Sequence, residues 1–468
     1  MKFGGESISN GSELTKAADI IKSHLKHGDK LIIIVSAFNA VTDDLVEIVE
    51  KAAQGDKRTI DSYLQYFKTQ HSMIIQNSIK DSVTRQSANE KLDHITLELK
   101  NILYGVASIR ELTPRSRDYT LSFGEKTATS IMADLLKDYD LRVKYFEGGE
   151  IGILTDDNFG EARPLMEITE HEIQRRLTGL DEETVPIITG FIAQAQDGST
   201  TTLGRGGADL TATLVGKSIE ADEVWIWSHV DGLMTADPKI VSSAQPLLQA
   251  SFQEAREMAY FGAKVIHPMA LEPAREKNMP IRIKNLHKPN QQGTLIGKEL
   301  PEKEKGVVQA LALIRDVSLL TISGAGMAGA PGSAAKIFNI LGSNRINVLM
   351  ISQGSSEANI SLVIPIKDLY QALNKLELHL LGNGYVQEIT HEADICIIAA
   401  IGTGMKGTPG VAARIFKAVA DAGVNVRMIA QGSSELNISF VLKEADGVKA
   451  MEALHKEFRL DSRRNRGL

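Results

Sequence analysis

Cysteine is almost absent from this chain, because Cys396 is the only one among 468 residues. A single cysteine excludes an intramolecular disulfide, and this count fits a reducing compartment. Cys396 lies in the apolar run "DICIIAA". We therefore predict that it is a buried residue of a β-strand.

Long apolar runs and basic clusters are also lacking. The apolar runs are far shorter than the roughly 20 residues that span a membrane, and no basic-then-apolar signal opens the chain. We therefore expect a cytoplasmic protein with no membrane partner. The net charge is −7, and the one basic run, "DSRRNRGL", is typical of a solvated tail. No nucleic-acid partner is expected from such a distribution.

The first 300 residues alternate short β-branched runs with longer helical patterns. The runs "KLIIIVSAF" (30–38), "VPIITGFIA" (185–193), "ADEVWIWS" (221–228) and "MPIRIKN" (279–285) predict buried strands, and apolar residues at helical spacing predict a helix over 14–25. Apolar strands separated by helices predict an α/β fold with a mainly parallel sheet covered on both faces. Ligands of such sheets bind at the carboxyl ends of the strands.

An internal repeat follows a charged linker at 297–307. Residues 324–364 align without gaps to residues 402–442, and about 23 of 41 positions are identical. Each copy predicts a strand, a glycine loop, a helix, a strand, a turn and a strand, so we expect a pair of small sandwiches. The loops "GAGMAGAPG" and "GTGMKGTPG" leave backbone N–H groups open to a small carboxylate. The alternative is two packing modules that bind no ligand.

Two glycine loops in the first half point to phosphate chemistry. "KFGG" places Lys2 at the end of the first strand, and "TTLGRGGADLTA" places Arg205 and Asp209 at a helix start. A glycine turn at a helix N-terminus binds anions, lysine stabilises a transferring phosphoryl group, and arginine grips a carboxylate. Neither a P-loop nor GxGxxG occurs in the first 300 residues. Phosphoryl transfer by another fold is therefore the leading hypothesis.

Taken together, these motifs resemble those of the aspartate kinases of the amino-acid kinase family. The resemblance runs from Lys2 to about Phe458. It rests on "KFGG", "VSAFNAVTDDL", "SRDYTLSFGEK", "GFIA", "TTLGRGGAD", "MTADPK" and "FGAKVIHP". The tandem repeat is similar to the two ACT domains of these enzymes, a pairing that separates them from relatives acting on acetylglutamate, glutamate, carbamate or UMP.

The resemblance implies a fold and a reaction. The fold is a three-layer αβα kinase domain over 1–298 with a mainly parallel sheet, a linker and first ACT domain over 299–385, and a second ACT domain over 386–468, each ACT domain being ferredoxin-like (βαββαβ). The strand near 307–316 is a candidate to pack with the second ACT domain. The reaction is phosphorylation of the L-aspartate side chain by ATP with Mg²⁺. It gives 4-phospho-L-aspartate and begins lysine, threonine and methionine biosynthesis.

Site residues are implied by motif. Lys2 would stabilise the transferring phosphoryl group, and Asp209 would hold the lysine in place. The aspartate pocket would contain Thr42, Glu125, Phe191, Arg205, Gly206 and Gly207, with Glu125 receiving the α-ammonium and Arg205 a carboxylate. The ATP site would contain Gly4, Gly5, Ser7, Ser36, Ser228, His229, Met234, Lys239 and Lys264. His267 is interpreted as structural, and no side chain is assigned as a metal ligand.

Regulation by an end-product amino acid is also implied. The effector would bind at Met327, Gly329, Asn347, Val348, Ile351, Gln353 and Asn359, in a homodimer or homotetramer formed through the ACT domains. Lysine-sensing members often have an aspartate near Leu349. Its absence, with Gln353 available for a hydroxyl group, favours threonine over lysine.

The chain departs from the family pattern at several positions. Glu6 replaces a usual threonine, Ser228 and His229 replace threonine and aspartate, and Ala208 replaces a common serine. Met234 stands where an aromatic residue is usual and Lys239 where arginine is frequent. These departures leave an alternative from another class, a weakly active or inactive paralogue that serves as an amino-acid-binding regulatory subunit.

Overall fold

The computed structural model describes residues 1–262, 265–298, 306–354, 358–381 and 386–462. These residues form two compact units. The first unit comprises the described parts of Met1–Leu233, Leu248–Phe252 and Lys264–Glu299, and the second comprises those of Met234–Leu247, Gln253–Ala263 and Leu300–Leu468. None of the described helices is both long and apolar enough to cross a membrane.

The strands are numbered in chain order. They are β1 (Lys2–Phe3), β2 (Ile33–Val35), β3 (Val143–Phe146), β4 (Leu154–Thr155), β5 (Val185–Thr189), β6 (Ile192–Ala195), β7 (Thr200–Thr202), β8 (Val224–Ser228), β9 (Gln249–Ser251), β10 (Ile281–Asn285), β11 (Thr294–Gly297), β12 (Ala310–Ser323), β13 (Met350–Gln353), β14 (Asn359–Pro365), β15 (Glu388–Ile401), β16 (Met428–Ala430) and β17 (Asn437–Lys443).

The α-helices are numbered in the same way. They are α1 (Gly11–Lys26), α2 (Val41–Ala53), α3 (Lys57–Ser78), α4 (Ser82–Ile109), α5 (Pro114–Asp138), α6 (Gly148–Ile151), α7 (Met166–Thr178), α8 (Gly207–Ser218), α9 (Phe252–Tyr260), α10 (Pro268–Glu276), α11 (Ser333–Ser343), α12 (Leu369–Leu380), α13 (Val411–Asp421) and α14 (Gly447–Glu457).

An eight-stranded sheet organises the first unit in the order β3-β5-β2-β1-β8-β10-β11-β9. Its strand pairs are parallel except for β10 with β11, so the predicted mainly parallel α/β sheet is confirmed. Helix α5 packs on β2, β3 and β5 together with α1 and α2, whereas α8 packs on β1, β2 and β8 and against α7 and α10. These two helix groups are the outer layers of the αβα fold.

The strands predicted from apolar runs are all present, with one division. Residues 185–193 form β5 and β6 rather than one strand. The break falls at Phe191, which has a left-handed φ of 64°. The preceding Gly190 lies so close to α8 that an added Cβ would lie 2.5 Å from the Ala208 Cβ. The chain therefore turns at Gly190 and Phe191, where it passes close to the first turn of α8.

Local signals explain where the helices begin. The Asn10 side chain accepts hydrogen bonds from the backbone N–H groups of Ser12 and Glu13 and so caps α1. Thr113 forms a capping box with Ser116, and Pro114 occupies the first position of α5. Both helices therefore begin at fixed positions, which sets the register of the residues that they carry.

The second unit is built on a six-stranded antiparallel sheet in the order β13-β14-β12-β15-β17-β16. The repeats share this one sheet, whereas the sequence led us to expect a pair of small sandwiches packed on each other. They share it because β12 and β15 are 14 residues long and pair with each other along most of their lengths. The 310–314 part of β12 pairs with 397–401 of the second repeat, and the 317–323 part also pairs with β14 of the first. Cys396 is fully buried in β15, as predicted.

Two segments that precede the repeats in the chain pack with the second repeat. Met234, Ala236, Val241 and Ala244 join its apolar core. The Thr235 hydroxyl lies 3.0 Å from His455 Nε2 in a buried hydrogen bond. The sequence led us to place 234–247 and 253–262 in the kinase domain, whereas these residues pack with the second unit.

Candidate active site

Lys2 and Asp209 meet at the carboxyl edge of the large sheet. Lys2 lies on β1, which is paired with β2 on one side and β8 on the other, and Asp209 lies in the first turn of α8. The Lys2 Nζ is 2.6 Å from Asp209 Oδ1, and both side chains are only 11% exposed. The positive end of the α8 dipole also favours the carboxylate. This ion pair holds a cationic group beside the glycine turn.

The turn after β1 requires glycine. A Cβ on Gly5 would lie 2.7 Å from the Ala37 carbonyl oxygen, which no side chain can tolerate. Ser7 is fully buried, and its hydroxyl donates to the Trp227 carbonyl at 2.9 Å. Ser7 therefore ties this turn to β8, and its predicted contact with ATP stays a prediction. Glu6 is exposed, and the described ion pairs join Lys2 to Asp209 rather than to Glu6.

Glu125 is a buried acid close to the lysine. It lies on α5, is 4% exposed, and its Oε2 has no hydrogen-bond partner among the described residues. Burial raises the pKa of Glu125 to about 8, although the backbone N–H of Ala37 and the charge of Lys2 oppose this rise. An unpartnered buried carboxylate suits a ligand ammonium group, which would lower its pKa on binding.

The turn before α8 carries Arg205, Gly206 and Gly207. Arg205 is exposed, and Gly206 has a left-handed φ of 74°. A Cβ on Gly206 would lie 2.1 Å from the His267 Cβ, and one on Gly207 would lie 2.9 Å from the Phe191 ring. Two close approaches therefore shape this turn, and the predicted residues Phe191, Gly206 and Gly207 lie together.

His267 is closer to the site than the sequence suggested. Burial lowers the pKa of His267, as does Arg205, whereas Asp209 raises it. Its Nδ1 also accepts a hydrogen bond from the Met269 N–H at 3.4 Å and so caps α10. The interpretation of His267 as a structural residue therefore accounts for its role as the cap of α10. The ring also contacts the turn that carries Arg205.

Asp118 was missed by sequence reasoning. It is fully buried on α5 and accepts hydrogen bonds from the Gly160 N–H and from both the N–H and the hydroxyl of Thr202. Burial raises the pKa of Asp118, and these hydrogen bonds oppose the rise. Its position seven residues before Glu125 places both acids on one helix face. The seven-residue spacing of the two acids within "SRDYTLSFGEK" was the sequence signal that could have identified Asp118.

Two further predicted residues are on the β2 side. The Ser36 N–H donates to the Phe3 carbonyl at 3.1 Å, directly after β2. Thr42 lies in the first turn of α2 and is partly buried. The Gly4 N–H donates to the Trp227 carbonyl at 3.4 Å, so β1 is held on its other side as well.

The predicted nucleotide residues do not all lie in one unit. Ser228 and His229 lie at the end of β8, and the His229 ring centroid is 4.9 Å from that of His287. Met234 and Lys239 belong to the second unit, where Met234 packs against the core of the second repeat. Lys264 lies outside the described residues.

The predicted effector residues lie in the first repeat and differ in their exposure. Asn347, Gln353 and Asn359 are exposed, as is Ile351, whereas Val348 packs against the core of the first repeat. Gly329 has a left-handed φ of 63°. Met327 is 2% exposed and its N–H donates to the Gly324 carbonyl, so its side chain belongs to the core.

The matching loop of the second repeat is already bonded to carboxylates of this chain. Glu254 Oε1 accepts from both the N–H and the hydroxyl of Thr403, each at 2.8 Å. The amide of Asn437, which corresponds to Asn359, donates to Glu257. Both glutamates lie on α9. In the second repeat, therefore, two carboxylates of this chain occupy donors of the loop and of the asparagine.

Family comparisons agree with this architecture. Residues 1–285 match the amino acid kinase family, and residues 320–380 and 398–458 each match the ACT domain. The fold and the site thus define a class of protein, a small-molecule kinase domain followed by two ACT domains.

Individual relatives show to which group of the amino acid kinase family the chain belongs. Aspartokinase 1 and aspartokinase 3 of Arabidopsis thaliana, both named as chloroplastic, are 35% and 34% identical to this chain over 98% of its length, and the alignments cover 79% and 81% of those proteins. The E. coli aspartokinase III structure in complex with lysine and aspartate has a TM-score of 0.80 and 27% identity, with 98% of each chain covered. The chain therefore belongs to the amino acid kinase family and, within it, to the aspartate kinases. The resemblance drawn from the motifs is confirmed.

A second state of the E. coli protein matches equally well. Its complex with aspartate and ADP also has a TM-score of 0.80 and 27% identity, and 97% of this chain is covered. Clostridium acetobutylicum aspartate kinase has a TM-score of 0.75 and 25% identity, with 98% of this chain covered. The arrangement of domains along the chain is therefore shared with these E. coli and Clostridium acetobutylicum structures.

Proposed function

We propose that this protein transfers the γ-phosphoryl group of ATP to the side-chain carboxylate of L-aspartate, which gives 4-phospho-L-aspartate and ADP. The observation that carries this proposal is the Lys2–Asp209 ion pair at 2.6 Å, with the buried Glu125 close to Lys2. A zwitterionic dicarboxylate needs both a cation and an anion, and this edge of the sheet supplies both.

Each group has a role that its surroundings support. Lys2 would neutralise charge on the γ-phosphoryl group, and positioning together with positive charge is most of what such a transfer requires. The backbone N–H groups near Gly4 and Gly5 would contact phosphate oxygens. Glu125 would accept the α-ammonium of aspartate, and the exposed Arg205 would bind a carboxylate bidentately.

Mg²⁺ fits this arrangement as a companion of ATP. It is held mainly by substrate phosphates with one or two carboxylates, and it neutralises charge on them during transfer. The acidic side chain nearest to Lys2 is already ion-paired. Most of its ligands would therefore come from the nucleotide.

The test is to trap the product. Purified protein is incubated with Mg-ATP and hydroxylamine, and the acid is varied among L-aspartate, L-glutamate, N-acetyl-L-glutamate and D-aspartate. The proposal predicts a hydroxamate and an equal amount of ADP with L-aspartate alone. An equal yield with an N-acetylated acid would contradict it, because such an acid has no ammonium group for Glu125.

The alternative is an inactive paralogue that binds an amino acid and regulates another subunit. Its support is that Met234, from the predicted nucleotide site, packs with the second repeat, and that His229 replaces a usual aspartate. This alternative predicts no hydroxamate from folded protein that still binds threonine or lysine. A Glu6 side chain paired with Lys2 would have supported this alternative by neutralising the lysine. Glu6 is exposed instead, and Lys2 is paired with Asp209.

Regulation by an end product is the second part of the proposal. We place the effector at the first repeat, because the second repeat has its loop and asparagine bonded to Glu254 and Glu257. Threonine is favoured over lysine, since Gln353 is exposed and could bind a hydroxyl group, while Leu349 offers no charge to an ammonium group. The relevant pathway would be the synthesis of lysine, threonine and methionine in the cytoplasm.

Calorimetric titration of the full chain with threonine and with lysine tests this assignment. We expect one threonine site per chain, which Gln353→Ala weakens and Glu254→Gln leaves intact. Selective binding of lysine would reverse the choice of effector. Two equal sites per chain would contradict the assignment to one repeat.

Assembly through the repeats is the remaining proposal. Ile351 on β13 and its repeat equivalent Ile429 on β16 are 48% and 46% exposed. Two apolar side chains at equivalent positions favour burial in a homodimer or homotetramer. Light scattering of wild type and the Ile351→Glu, Ile429→Glu double variant tests it, and an unchanged molar mass would contradict it.

A further inference from the structure

Three side chains, of which only His229 was assigned to the predicted ATP site, converge at the edge of the large sheet. His229 follows β8 and His287 follows β10, two neighbouring parallel strands whose carboxyl ends lie side by side. Glu13 comes from the first turn of α1. Their nearest ligand atoms all lie within 4.8 Å of one another.

The spacing of two of these atoms fits a shared metal ion. His287 Nε2 is 3.5 Å from Glu13 Oε2. Zinc bonds to histidine nitrogen and carboxylate oxygen are about 2.0–2.2 Å long, so two ligands at the tetrahedral angle lie about 3.4 Å apart. The observed separation is long for a hydrogen bond but close to that of two ligands on one ion. The His229 ring completes the cluster, 4.9 Å from the His287 ring centroid.

Glu13 provides an independent observation. The residue is 9% exposed, and its Oε2 has no hydrogen-bond partner among the described residues. Its other oxygen accepts from Lys16 at 3.1 Å. A buried carboxylate oxygen that accepts no hydrogen bond is unfavourable, so its position calls for a ligand.

We propose that Glu13, His229 and His287 form a binding site for a divalent transition metal ion, most simply Zn²⁺. Two imidazoles and one carboxylate suit zinc and its first-row neighbours, whereas Mg²⁺ and Ca²⁺ prefer oxygen ligands. Three protein ligands leave a fourth position for water or another group. Its ligands are protein side chains, whereas those of the Mg²⁺ that accompanies ATP would come mostly from the nucleotide, and the motifs assigned no metal-binding side chain.

Lys16 competes with the metal ion. Its ammonium lies 3.2 Å from His287 Nδ1 and also bonds Glu13 Oε1. Because an ammonium only donates, Nδ1 accepts, and the proton of the neutral ring is then on Nε2. Metal binding requires that proton to move to Nδ1 and Lys16 to move away. The Lys16 side chain is 42% exposed, so it can turn to solvent.

The test is zinc binding by the full chain, measured by competition with a chromophoric chelator. We expect one Zn²⁺ per chain, with affinity reduced at least about tenfold in His229→Asn and in His287→Asn. The matched control is His94→Asn, an exposed histidine on α4, which should bind like wild type. Lys16→Met should bind more tightly than wild type, because it removes the competing cation.

Cobalt provides a spectroscopic readout that unfolding alone would not mimic. Co²⁺ added to the wild type should give the intense visible absorption of a tetrahedral site, and His287→Asn should lose it while keeping the same thermal unfolding temperature. Both histidines are exposed, so these variants should fold even if Glu13→Gln does not. Equal zinc affinity in wild type and the His229→Asn, His287→Asn double variant would overturn the proposal. So would a wild type that withdraws no zinc from the chelator.

Discussion

Lys2 and Asp209 stand 207 positions apart in the chain, yet their charged atoms are 2.6 Å apart. The central strand β1 and the first turn of α8 bring them together at the carboxyl edge of the sheet. Both side chains are nearly buried, so their attraction is stronger than it would be in water. The lysine is thereby fixed in place before any substrate binds.

Replacing Asp209 by asparagine should leave Lys2 charged but poorly positioned. We expect kcat to fall roughly 10²-fold, as is typical when a catalytic group is misplaced by about 1 Å, with a smaller effect on the KM for ATP. Steady-state kinetics measure this. A change in KM alone would show that Asp209 acts in binding rather than in positioning Lys2.

Replacing Glu125 by glutamine should weaken aspartate binding. A charged hydrogen bond contributes about 1.5–3 kcal/mol, so we expect the KM for aspartate to rise roughly 10- to 100-fold. Wild-type KM should also depend on pH. Because burial raises the pKa of Glu125 to about 8, the acid must lose a proton to accept an ammonium, and KM should fall as pH rises from 6 to 8.

The glutamine variant is also the control for that pH dependence. Its KM should be flat over the range in which the wild type changes, since glutamine does not titrate. The stability of the free wild type should decrease as pH rises from about 4.5 to about 8, because the folded state holds the Glu125 proton more tightly than the unfolded state. Denaturant titrations of both proteins would show this, and parallel stability profiles would contradict it.

Adding a methyl group at Gly206 should disrupt the turn before α8. Alanine there meets both a left-handed φ and a contact of 2.1 Å with the His267 Cβ. Gly28→Ala is the matched control, since Gly28 also has a positive φ but has no atom within 4 Å of an added Cβ. We expect the control to lose about 1 kcal/mol in unfolding free energy and Gly206→Ala to lose clearly more, together with activity. Equal losses of unfolding free energy in the two variants would show that the contact with His267 does not constrain this turn.

Cys396 should be unreactive in the folded protein. It is fully buried in β15, and burial raises the pKa of its thiol to about 12. Since the thiolate is the reactive form, a thiol reagent should modify this residue only after denaturation. Rapid modification of the native chain at neutral pH would contradict the burial of β15.

The elements that the sequence predicted best are those with strong local signals. Buried strands such as β2 and β8 are apolar throughout. The family resemblance, rather than any local signal, implied that Asp209 would hold Lys2, and the two charged atoms are 2.6 Å apart. Glu125 was assigned from its motif, but its unpartnered oxygen depends on packing around α5 and could not be read from the chain.

The features that sequence analysis missed are contacts between distant segments. Met234 was assigned to the ATP site from its motif and Val241 looks like an ordinary core residue, and nothing in their spacing shows that they pack with the second repeat. Glu254 resembles any acidic residue of an amphipathic helix until Thr403 is seen to donate to it twice. The strand near 307–316 was expected to pack with the second ACT domain, and its residues 310–314 do pair with 397–401. That one sheet runs through both repeats was not expected, because strand length alone does not identify a strand's neighbours.

The most direct test of the central claim is the turnover number of Lys2→Met in L-aspartate-dependent ADP release. Lys30→Met, which changes an exposed lysine, serves as the control. We predict that kcat falls about 10²- to 10³-fold in Lys2→Met, as when a charge-stabilising group is removed, while the control matches wild type. Unchanged kcat in folded Lys2→Met would contradict the assignment of phosphoryl transfer to the Lys2–Asp209 pair.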